Sequence, residues 1–309
     1  MPVLESFRRR RARVRNGIDT GREFFLQYLD GVLRRIFRVK TSMYKNAHTA
    51  RMRKMFWHEE DGTYHIKDAR LPPLSDEYEK LLMCAIFDDS FGEYFYFDDK
   101  HDEATVNLCD EVFDETPYCL VDSKVNVTVE AGDIVIDAGA WIGDFAAYAS
   151  AKGAAVYAFE PAERNFAILQ RTAEVNKNIT PVNKGLSDEN TSRVIFAAEH
   201  GTSGQYSLVP NITEDHKASS SSVETIRLDD FVRENNIPRV DFIKCDIEGF
   251  ECNMLAGAQE TLARFAPKLA LCTYHLPDDP QVMPPLIMKA NPRYNIVQKR
   301  AKLFASVPE

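Results

Sequence analysis

Several features that would assign the chain to a specialised class are missing from its 309 residues. No apolar run approaches the roughly 20 residues that a membrane-spanning helix needs. The basic N-terminal residues are followed by no apolar stretch, so they do not predict a secretory signal. The six cysteines are scattered without a C-x-x-C pair, which argues against a zinc site and fits free thiols in a reducing compartment. We therefore expect a cytoplasmic globular protein.

Charge is distributed unevenly along the chain. Residues 1–54 contain 15 Lys and Arg against 4 Asp and Glu, which leaves a net charge of −20 in the remainder of a chain whose total is −9. An acidic domain is a poor candidate for wrapping nucleic acid, so we expect no nucleic-acid partner.

Within the basic segment, apolar residues recur at helical spacing over residues 22–38 and predict an amphipathic helix. One interpretation is contact with a membrane surface or a nucleic acid, which would make the protein membrane-peripheral. The other is packing on the protein itself or on a second subunit of a homo-oligomer, and we favour this second interpretation.

The sequence divides into three parts: the basic segment 1–54, a mixed acidic extension over 55–117, and a domain over 118–309. In the extension, a capped helix is predicted from Ser75, and residues 91–97 form an aromatic stretch. This part is interpreted either as an acceptor-side cap or as simple packing.

From residue 123 onward, predicted strands alternate with predicted helices. The strands are expected at 124–129, 133–138, 155–160, 180–186, 240–247, 268–274, 294–299 and 302–306. The helices are expected at 143–152, 162–176, 228–236, 250–264 and 281–290. Residues 192–227 favour short antiparallel strands with a polar loop at 218–224. This alternation predicts an α/β fold with a mostly parallel sheet and helices on both faces.

The sequence VIDAGAWIGD (135–144) places an acid and two glycines where the first of these buried strands turns into a helix. Asp137 ends the strand, Gly139 allows a ligand to approach the backbone, and Gly143 permits a tight entry into the helix. The nicotinamide fingerprint G-x-G-x-x-G does not fit, because with Gly139 as its middle glycine the outer positions are Asp137 and Ile142. A pyrophosphate favours a helix N-terminus without an acid, whereas an acid suits a ligand with an ammonium and a sulfonium group.

The next strand ends in Phe-Glu-Pro, with Glu160 twenty-three residues after Asp137. An acid at this place accepts hydrogen bonds from both hydroxyls of a ribose. The alternative is a chance glycine turn with two ordinary exposed acids. Together, the turn and the acid favour a ligand that contains adenosine.

Two further runs, VETIRLDDF (223–231) and DFIKCDIEGFECNMLAGAQETLARF (241–265), contain three characteristic motifs. The motif residues are Thr225, Leu228, Asp229, Asp230 and Phe231; Ile243, Lys244, Asp246, Glu248 and Gly249; and Leu255, Gly257 and Ala258. In these motifs the chain resembles the FkbM family of methyltransferases, over about residues 118–298. The resemblance implies the class I methyltransferase fold, which is Rossmann-like, with S-adenosylmethionine as donor and usually a hydroxyl oxygen as acceptor.

The resemblance also implies roles by position. Asp137 and Gly139 are expected beside the methionine part of the donor, Glu160 at its ribose, and the end of the third strand along its adenine. The full set of predicted donor-binding residues is Asp137, Gly139, Ala140, Gly143, Asp144, Glu160, Pro161, Leu186, Ser187 and Asp246. One departure is the end of the fifth strand, where many relatives carry a Glu and this chain has Thr273, Tyr274 and His275.

Asp246 and Glu248, after the fourth strand, are expected to face the region where donor and acceptor meet. We predict His275 as the general base that accepts the acceptor's proton, with Asp246 as second choice. A histidine that only bonds a neighbouring loop is the alternative. Asp246, Glu248 and His275 are also suited to hold Mg²⁺ or Mn²⁺. We favour the interpretation that Asp246 and Glu248 cap the following helix, without a metal.

These observations predict an S-adenosylmethionine-dependent O-methyltransferase that acts on a hydroxyl of a small sugar, glycan or secondary-metabolite acceptor. Residues 118–309 are its predicted donor-binding domain. Two alternatives stay open: a nicotinamide-dependent oxidoreductase on a Rossmann sheet, against which the glycine spacing counts, and a non-catalytic scaffold protein.

Overall fold

The computed structural model describes residues 56–66, 68–73, 118–198, 206–209, 216–299 and 301–308. The predicted amphipathic helix over 22–38, the helix predicted from Ser75 and the aromatic stretch over 91–97 lie outside these residues. None of the described helices has the length and apolar character that a bilayer crossing requires.

The first described elements are short antiparallel strands. A three-stranded sheet consists of β1 (Phe56–His58), β2 (Tyr64–Ile66) and β3 (Ala69–Leu71), and a separate pair consists of β4 (Leu120–Val121) and β5 (Asn126–Val127). The strand predicted over 124–129 is thus reduced to two residues. The three-stranded sheet is tied to the main domain by Asn176, whose side-chain amide donates a hydrogen bond to the carbonyl of Arg70 at 2.8 Å.

The main domain alternates strands and helices as the sequence predicts. Its first half contains β6 (Ile134–Ala138), α1 (Asp144–Ala151), β7 (Ala155–Phe159), α2 (Glu163–Val175) and β8 (Ile179–Val182). An excursion follows with β9 (Gly185–Leu186), β10 (Ser192–Ala198), β11 (Tyr206–Ser207) and β12 (His216–Ile226). The second half contains α3 (Leu228–Glu234), β13 (Phe242–Cys245), α4 (Glu251–Ala256), α5 (Gln259–Phe265), β14 (Lys268–Cys272), α6 (Asp279–Ala290), β15 (Asn295–Lys299) and β16 (Lys302–Ser306).

Seven of these strands form the central sheet, in the order β15-β16-β14-β13-β6-β7-β8. The five strands from β14 to β8 are parallel, and β16 lies antiparallel between β14 and β15. Successive side chains face opposite sides, so Ile136 and Ile243 belong to one core cluster while Val135 and Phe242 belong to the other. The predicted Rossmann-like fold class, with an apolar core on each face of the sheet, is confirmed.

The strand order of this sheet reverses between β6 and β13. The chain builds the sheet outward from β6 through β7 to β8, and then returns to add β13 and β14 on the other side. The loops that leave β6 and β13 therefore diverge at the carboxyl edge, and ligands of open α/β sheets bind at such a reversal.

The excursion between β8 and α3 forms a second sheet of four strands, in the order β11-β10-β12-β9. The serine-rich segment 218–224, expected as a polar loop, lies instead within β12, which pairs antiparallel with β10. The expectation was wrong because polar side chains are tolerated on a strand with one solvated face. The end of β12 shows the alternation, since Ser222 and Glu224 are exposed while Val223 and Thr225 are buried.

The single helix predicted over 250–264 is divided into α4 and α5 at Gly257 and Ala258. At Gly257 the helix junction lies against the loop after β9, where an added Cβ would overlap the carbonyl oxygen of Ser187. The buried carboxylate of Asp229 accepts hydrogen bonds from the backbone N–H groups of Glu260 and Thr261, at 3.0 and 2.8 Å. The Leu-Asp-Asp-Phe motif thus satisfies the exposed amides in the first turn of α5.

Candidate active site

A cavity opens at the carboxyl edge of the central sheet, at the reversal between β6 and β13. It encloses about 550 Å³ including its open mouth. Its walls come from the loop after β6, the end of β7, the loop after β13 and the second sheet. The lining residues are Gly139, Trp141, Phe159, Glu160, Pro161, Asn165, Lys184, Gly185, Leu186, Ile195, Tyr206, Leu208, Asp246, Ile247, Glu248 and Phe250.

The floor of the cavity is a tight turn after β6. Gly139 has φ +75°, and an added Cβ would overlap the carbonyl oxygen of Asp246 on the neighbouring strand. The N–H groups of Gly139 and Ala140 both donate to the carbonyl of Phe159, at 3.0 and 2.8 Å. Trp141, with φ +49°, also adopts the left-handed region, which is uncommon outside glycine. The turn is therefore held against both neighbouring strands.

A buried ion pair lies beneath this turn. The strand register places Asp137 of β6 beside Lys244 of β13, on the same face of the sheet. The Lys244 Nζ atom lies 3.1 Å from Asp137 Oδ1 and donates to the carbonyl of Gly139 at 2.6 Å. Burial raises the pKa of Asp137 despite the lysine beside it. For Lys244, the surrounding carboxylates outweigh the effect of burial and raise the pKa above its usual range.

Asp137, which we expected beside the methionine part of the donor, lies beneath the turn. Its side chain is fully buried and does not line the cavity, because Lys244 holds it under the turn. We infer that Asp137 influences the cavity through Lys244 and the Gly139 carbonyl.

Glu160, at the end of β7, lines the cavity although only 5% of it is exposed. Its Oε2 accepts the N–H of Trp141 at 3.0 Å and its Oε1 accepts the N–H of Ala162 at 2.9 Å. Burial raises the pKa of Glu160 to about 7, and these hydrogen bonds oppose the rise. The Asn165 side chain gives a third hydrogen bond, and because a carboxylate accepts about four, one acceptor position remains for a ligand.

The other predicted donor-binding residues divide into two groups. Pro161, Leu186 and Asp246 line the cavity with Gly139 and Glu160. Ala140, Gly143, Asp144 and Ser187 are behind its walls: Gly143 (φ +88°) packs on Leu169 and Thr172 of α2, and Asp144 begins α1. Tyr206 and Leu208 were not foreseen as lining residues, since no local pattern connects the excursion with the sheet.

A cluster of charged groups lies beside this cavity, after β13 and β14. Nε2 of His275 is 3.4 Å from Asp246 Oδ1 and 3.5 Å from Glu248 Oε2. Nδ1 of His275 is 2.8 Å from Glu251 Oε1, which also accepts the N–H of Ile247 at 2.9 Å. Tyr118 donates to Asp246 Oδ2 at 2.7 Å. The sequence-predicted trio of Asp246, Glu248 and His275 is thus brought together.

Glu251 was not foreseen in this cluster, although it follows Glu248 by three residues. Its side chain is fully buried on the first turn of α4, and there it contacts His275. The prediction that Asp246 and Glu248 cap α4 is wrong, because the helix has Phe250 as its N-cap and no side-chain cap. Glu251 bonds the Ile247 amide instead.

The electrostatics of this cluster are strongly coupled. Burial opposes the charge on His275, yet Glu251, Asp246 and Glu248 outweigh it and raise the pKa to about 9. Burial raises the pKa of Glu248 to about 7, whereas His275 and Lys244 overcome burial at Asp246 and lower its pKa to about 2. His275 therefore carries a proton at neutral pH, and it becomes a base only after that proton has left.

A Rossmann-like sheet with an acid-lined cavity at its reversal point is an architecture that nucleoside-binding α/β proteins use. The sequence profile of the Methyltransferase FkbM domain matches residues 137–291, about half of the chain. The chain belongs to the FkbM family of methyltransferases.

The chain is also similar to three individual methyltransferases. The hexuronic acid methyltransferase AglP of Haloferax volcanii is 28% identical over 168 residues, which are 52% of this chain and 64% of that protein. The 31-O-demethyl-FK506 methyltransferase FkbM of Streptomyces tacrolimicus is 28% identical over 178 residues, 48% of this chain and 67% of that protein. The crystal structure of methyltransferase FkbM from Methylobacillus flagellatus KT has a TM-score of 0.44 at 23% identity, covering 61% of this chain and 47% of that chain. The chain spans about two thirds of the length of the two named relatives.

Proposed function

We propose that this protein transfers a methyl group from S-adenosylmethionine to a hydroxyl oxygen of a sugar, glycan or secondary-metabolite acceptor. The observation that carries the proposal is Glu160, a buried carboxylate that ends the strand next to the glycine turn and lines the cavity. Its oxygens accept two backbone N–H groups and a hydrogen bond from the Asn165 side chain, and the remaining acceptor position suits a ribose hydroxyl.

The charge of the cavity supports this donor over a nicotinamide dinucleotide. Glu160, Asp246 and Glu248 line the walls, with Lys184 as the lining residue of opposite sign. A pyrophosphate would be repelled by these carboxylates, whereas a sulfonium and an ammonium are attracted. When bound, S-adenosylmethionine supplies an electrophilic methyl group on a sulfonium that departs as a neutral thioether.

The residues beside the donor cavity would prepare the acceptor. An alcohol attacks well only as its proton leaves, and the Asp246, Glu248 and His275 cluster is the charged group that adjoins the cavity. We retain His275 and Asp246 as the residues on which transfer depends. The acceptor class rests on the names of the two relatives, one a hexuronic acid methyltransferase and one a methyltransferase of demethyl-FK506.

The donor half of the proposal is tested with Glu160→Gln. We expect the affinity for S-adenosylhomocysteine, measured by isothermal titration calorimetry, to fall about tenfold or more, because a charged hydrogen-bond acceptor becomes a neutral one. Glu163→Gln is the matched control, since Glu163 is exposed on the next helix, and its affinity should equal that of the parent. The proposal would be contradicted if Glu160→Gln bound S-adenosylhomocysteine as tightly as the parent does, or if the parent bound NAD⁺ preferentially.

The acceptor half is tested by transfer of labelled methyl from S-adenosylmethionine to a panel of uronic acids, glycans and polyketide alcohols. His275→Ala should keep the parent's donor affinity and lose most of its turnover. Donor binding without transfer to any member of the panel would favour a scaffold protein over an enzyme.

A further inference from the structure

We propose that Glu248 is the general base of the transfer, the carboxylate that takes the proton from the acceptor's hydroxyl. This assignment rests on the proposed function, because a base is needed only if a hydroxyl is methylated. Glu248 follows β13 in the loop at the carboxyl edge and lines the cavity, whereas His275 is not among the lining residues.

Glu248 lies on the other side of the glycine turn from Glu160. The sheet places β6 between β13 and β7, so the loop with Glu248 and the strand end with Glu160 flank the turn at Gly139. All three residues line the same cavity. A donor that is held at Glu160 through its ribose therefore extends across Gly139 toward β13, which is the side of Glu248.

The backbone at Glu248 has a rare torsion and is held in it. Its φ is +53°, in the left-handed region that residues with a side chain seldom adopt, and such torsions cluster at functional sites. The buried hydroxyl of Ser207, on β11 of the second sheet, donates to the Glu248 carbonyl at 2.6 Å and accepts the N–H of Val209 at 3.0 Å. The second sheet thus holds the backbone from which the Glu248 side chain extends.

The carboxylate of Glu248 keeps hydrogen-bond capacity that Asp246 has used. Asp246 accepts a hydrogen bond from Tyr118 at 2.7 Å and one from Tyr274 at 3.3 Å. No residue that the structure describes donates a hydrogen bond to the Glu248 carboxylate, which is 25% exposed and lies 3.5 Å from its ion-pair partner His275. A hydroxyl that enters the cavity is therefore able to donate to Glu248.

The charges around Glu248 suit it to the role. Within the described structure it is faced by His275, which lowers its pKa, and by Asp246 and Glu251, which raise it. Burial has the largest influence, and the pKa of Glu248 is raised to about 7, whereas that of His275 is about 9 and that of Asp246 about 2. A base is most effective when its pKa is near the pH of the reaction. At neutral pH, His275 still carries its proton and Asp246 is a weak base.

Glu248 would receive the proton in the following exchange of bonds. The hydroxyl oxygen of the acceptor forms a bond to the methyl carbon, while the bond between that carbon and the sulfonium sulfur breaks and leaves its electron pair on sulfur. The O–H bond breaks in the same step: its electron pair stays on oxygen, and the proton moves to a carboxylate oxygen of Glu248. The neutral carboxylic acid gives that proton to water after the products leave.

The pH dependence of turnover separates the three candidate bases. Transfer of labelled methyl to an acceptor from the panel above is measured with the full chain between about pH 5.5 and 10. We expect turnover to rise through about pH 7, as Glu248 loses its proton. A rise centred near pH 9 would assign the base to His275, and a flat profile would assign it to Asp246. Either result would overturn the proposal.

Variants of Glu248 test the role directly. Glu248→Gln should lower turnover about 10²- to 10⁴-fold, because an amide does not take the proton, and it should bind S-adenosylhomocysteine as the parent does. In Glu248→Ala, added formate should raise turnover about tenfold or more by replacing the lost carboxylate, which a misfolded protein would not show. Glu234→Gln, at an exposed acid that ends α3, is the control and should keep the parent's turnover.

A titration without turnover gives an independent result. The protein is labelled with ¹³C at the side-chain carboxyl carbon of glutamate and observed by NMR in complex with S-adenosylhomocysteine. We expect a signal that titrates near pH 7 in the parent and is absent from Glu248→Gln; this absence distinguishes it from Glu160, whose pKa is also about 7. Titration of that signal near the ordinary value of 4.5 would contradict the assignment.

Failure of this proposal is distinguishable from failure of the proposed function. A parent that binds no donor, or that transfers no methyl group to the panel, contradicts the proposed function and the assignment of its base together. A parent that transfers methyl groups, with equal turnover in Glu248→Gln, contradicts the assignment of Glu248 alone.

Discussion

The two halves of the carboxyl edge use acidic residues in opposite ways. On the half where we propose that the donor binds (the donor half), Asp137 is paired with a lysine and Glu160 is bound to two backbone amides. On the half that we propose faces the acceptor (the acceptor half), Asp246, Glu248 and Glu251 surround one histidine. Of these three, only Glu251 bonds a backbone amide of a residue that the structure describes. The first arrangement fixes a backbone turn, and the second gathers charge that a ligand is able to share.

The two arrangements stabilise the cavity in different ways. A carboxylate that is held by a lysine or by backbone amides keeps the shape of a cavity whether or not a ligand is present. Carboxylates that face one another repel unless a cation lies between them or one of them is protonated. In the described structure the protonated His275 is that cation, and three predictions test the contrast between the two halves.

The largest effect is expected at the buried pair. Lys244→Met removes the partner of fully buried Asp137, and loss of one member of such a pair costs about 3–5 kcal/mol. Urea unfolding should therefore show a large fall in the free energy of unfolding. The double variant Lys244→Met/Asp137→Leu should recover most of it, because an apolar pair leaves no uncompensated charge.

Lys268→Met is the control for that experiment. Lys268 pairs with Asp133 and Glu130 at the edge of the domain, and its side chain is 21% exposed. Its replacement should cost about 1 kcal/mol or less. Equal losses at Lys244 and Lys268 would mean that the turn does not depend on the buried pair.

A second, smaller effect is expected at the turn itself. Gly139→Ala forces a residue with a Cβ into φ +75° and against the Asp246 carbonyl, and strain with overpacking should cost about 2–4 kcal/mol. Gly132→Ala matches its backbone, with φ +88°, but no atom lies within 4 Å of the added Cβ. We expect about 1–2 kcal/mol there. Thermal unfolding would contradict this expectation if both glycine variants lost the same amount of stability. The close contact between β6 and β13 would then be unimportant.

The smallest effect is a pH dependence of the acceptor half. The pKa of His275 is raised from 6.5 to about 9 by the three carboxylates that face it, so the folded protein retains a proton that the unfolded chain loses. This stabilisation is complete below about pH 6.5 and is lost as the pH rises through about 9, by roughly 1–3 kcal/mol. Urea unfolding at pH 6, 7.5 and 9.5 should show the decline in the parent. His275→Gln should lack that part of the slope, and a parallel slope in both proteins would contradict the assignment.

The sequence was sufficient for the sheet and for the position of its ligand edge. Apolar strands that alternate with helices predict the sheet, and a glycine turn followed by Glu160 predicts the edge where a ligand binds. Both are local patterns that physical rules relate directly to structure. The inaccurate expectations have a common cause. The serine-rich segment 218–224 and the break at Gly257 are decided by partners distant in the chain, namely β10 and the loop at Ser187.

The same cause limited the prediction of the site. The pairing of Asp137 with Lys244 was not predicted, because position in a strand does not reveal what lies opposite on the neighbouring strand. Glu251 was missed because its role depends on His275, which lies twenty-four residues later. The trio of Asp246, Glu248 and His275 was found because each follows the end of a parallel strand, and such ends converge.

Gly257 has φ −80°, a torsion that every amino acid adopts with ease, so flexibility does not explain its presence. Because Gly257 has no side chain, its backbone touches the backbone at Ser187, where a methyl group would otherwise lie. The segment at Ser187 follows directly on Leu186, which lines the cavity. If Gly257 variants were assayed only by their affinity for the cofactor, Gly257 would be mistaken for a residue that contacts the ligand. It is in fact separated from the cavity by a full layer of polypeptide.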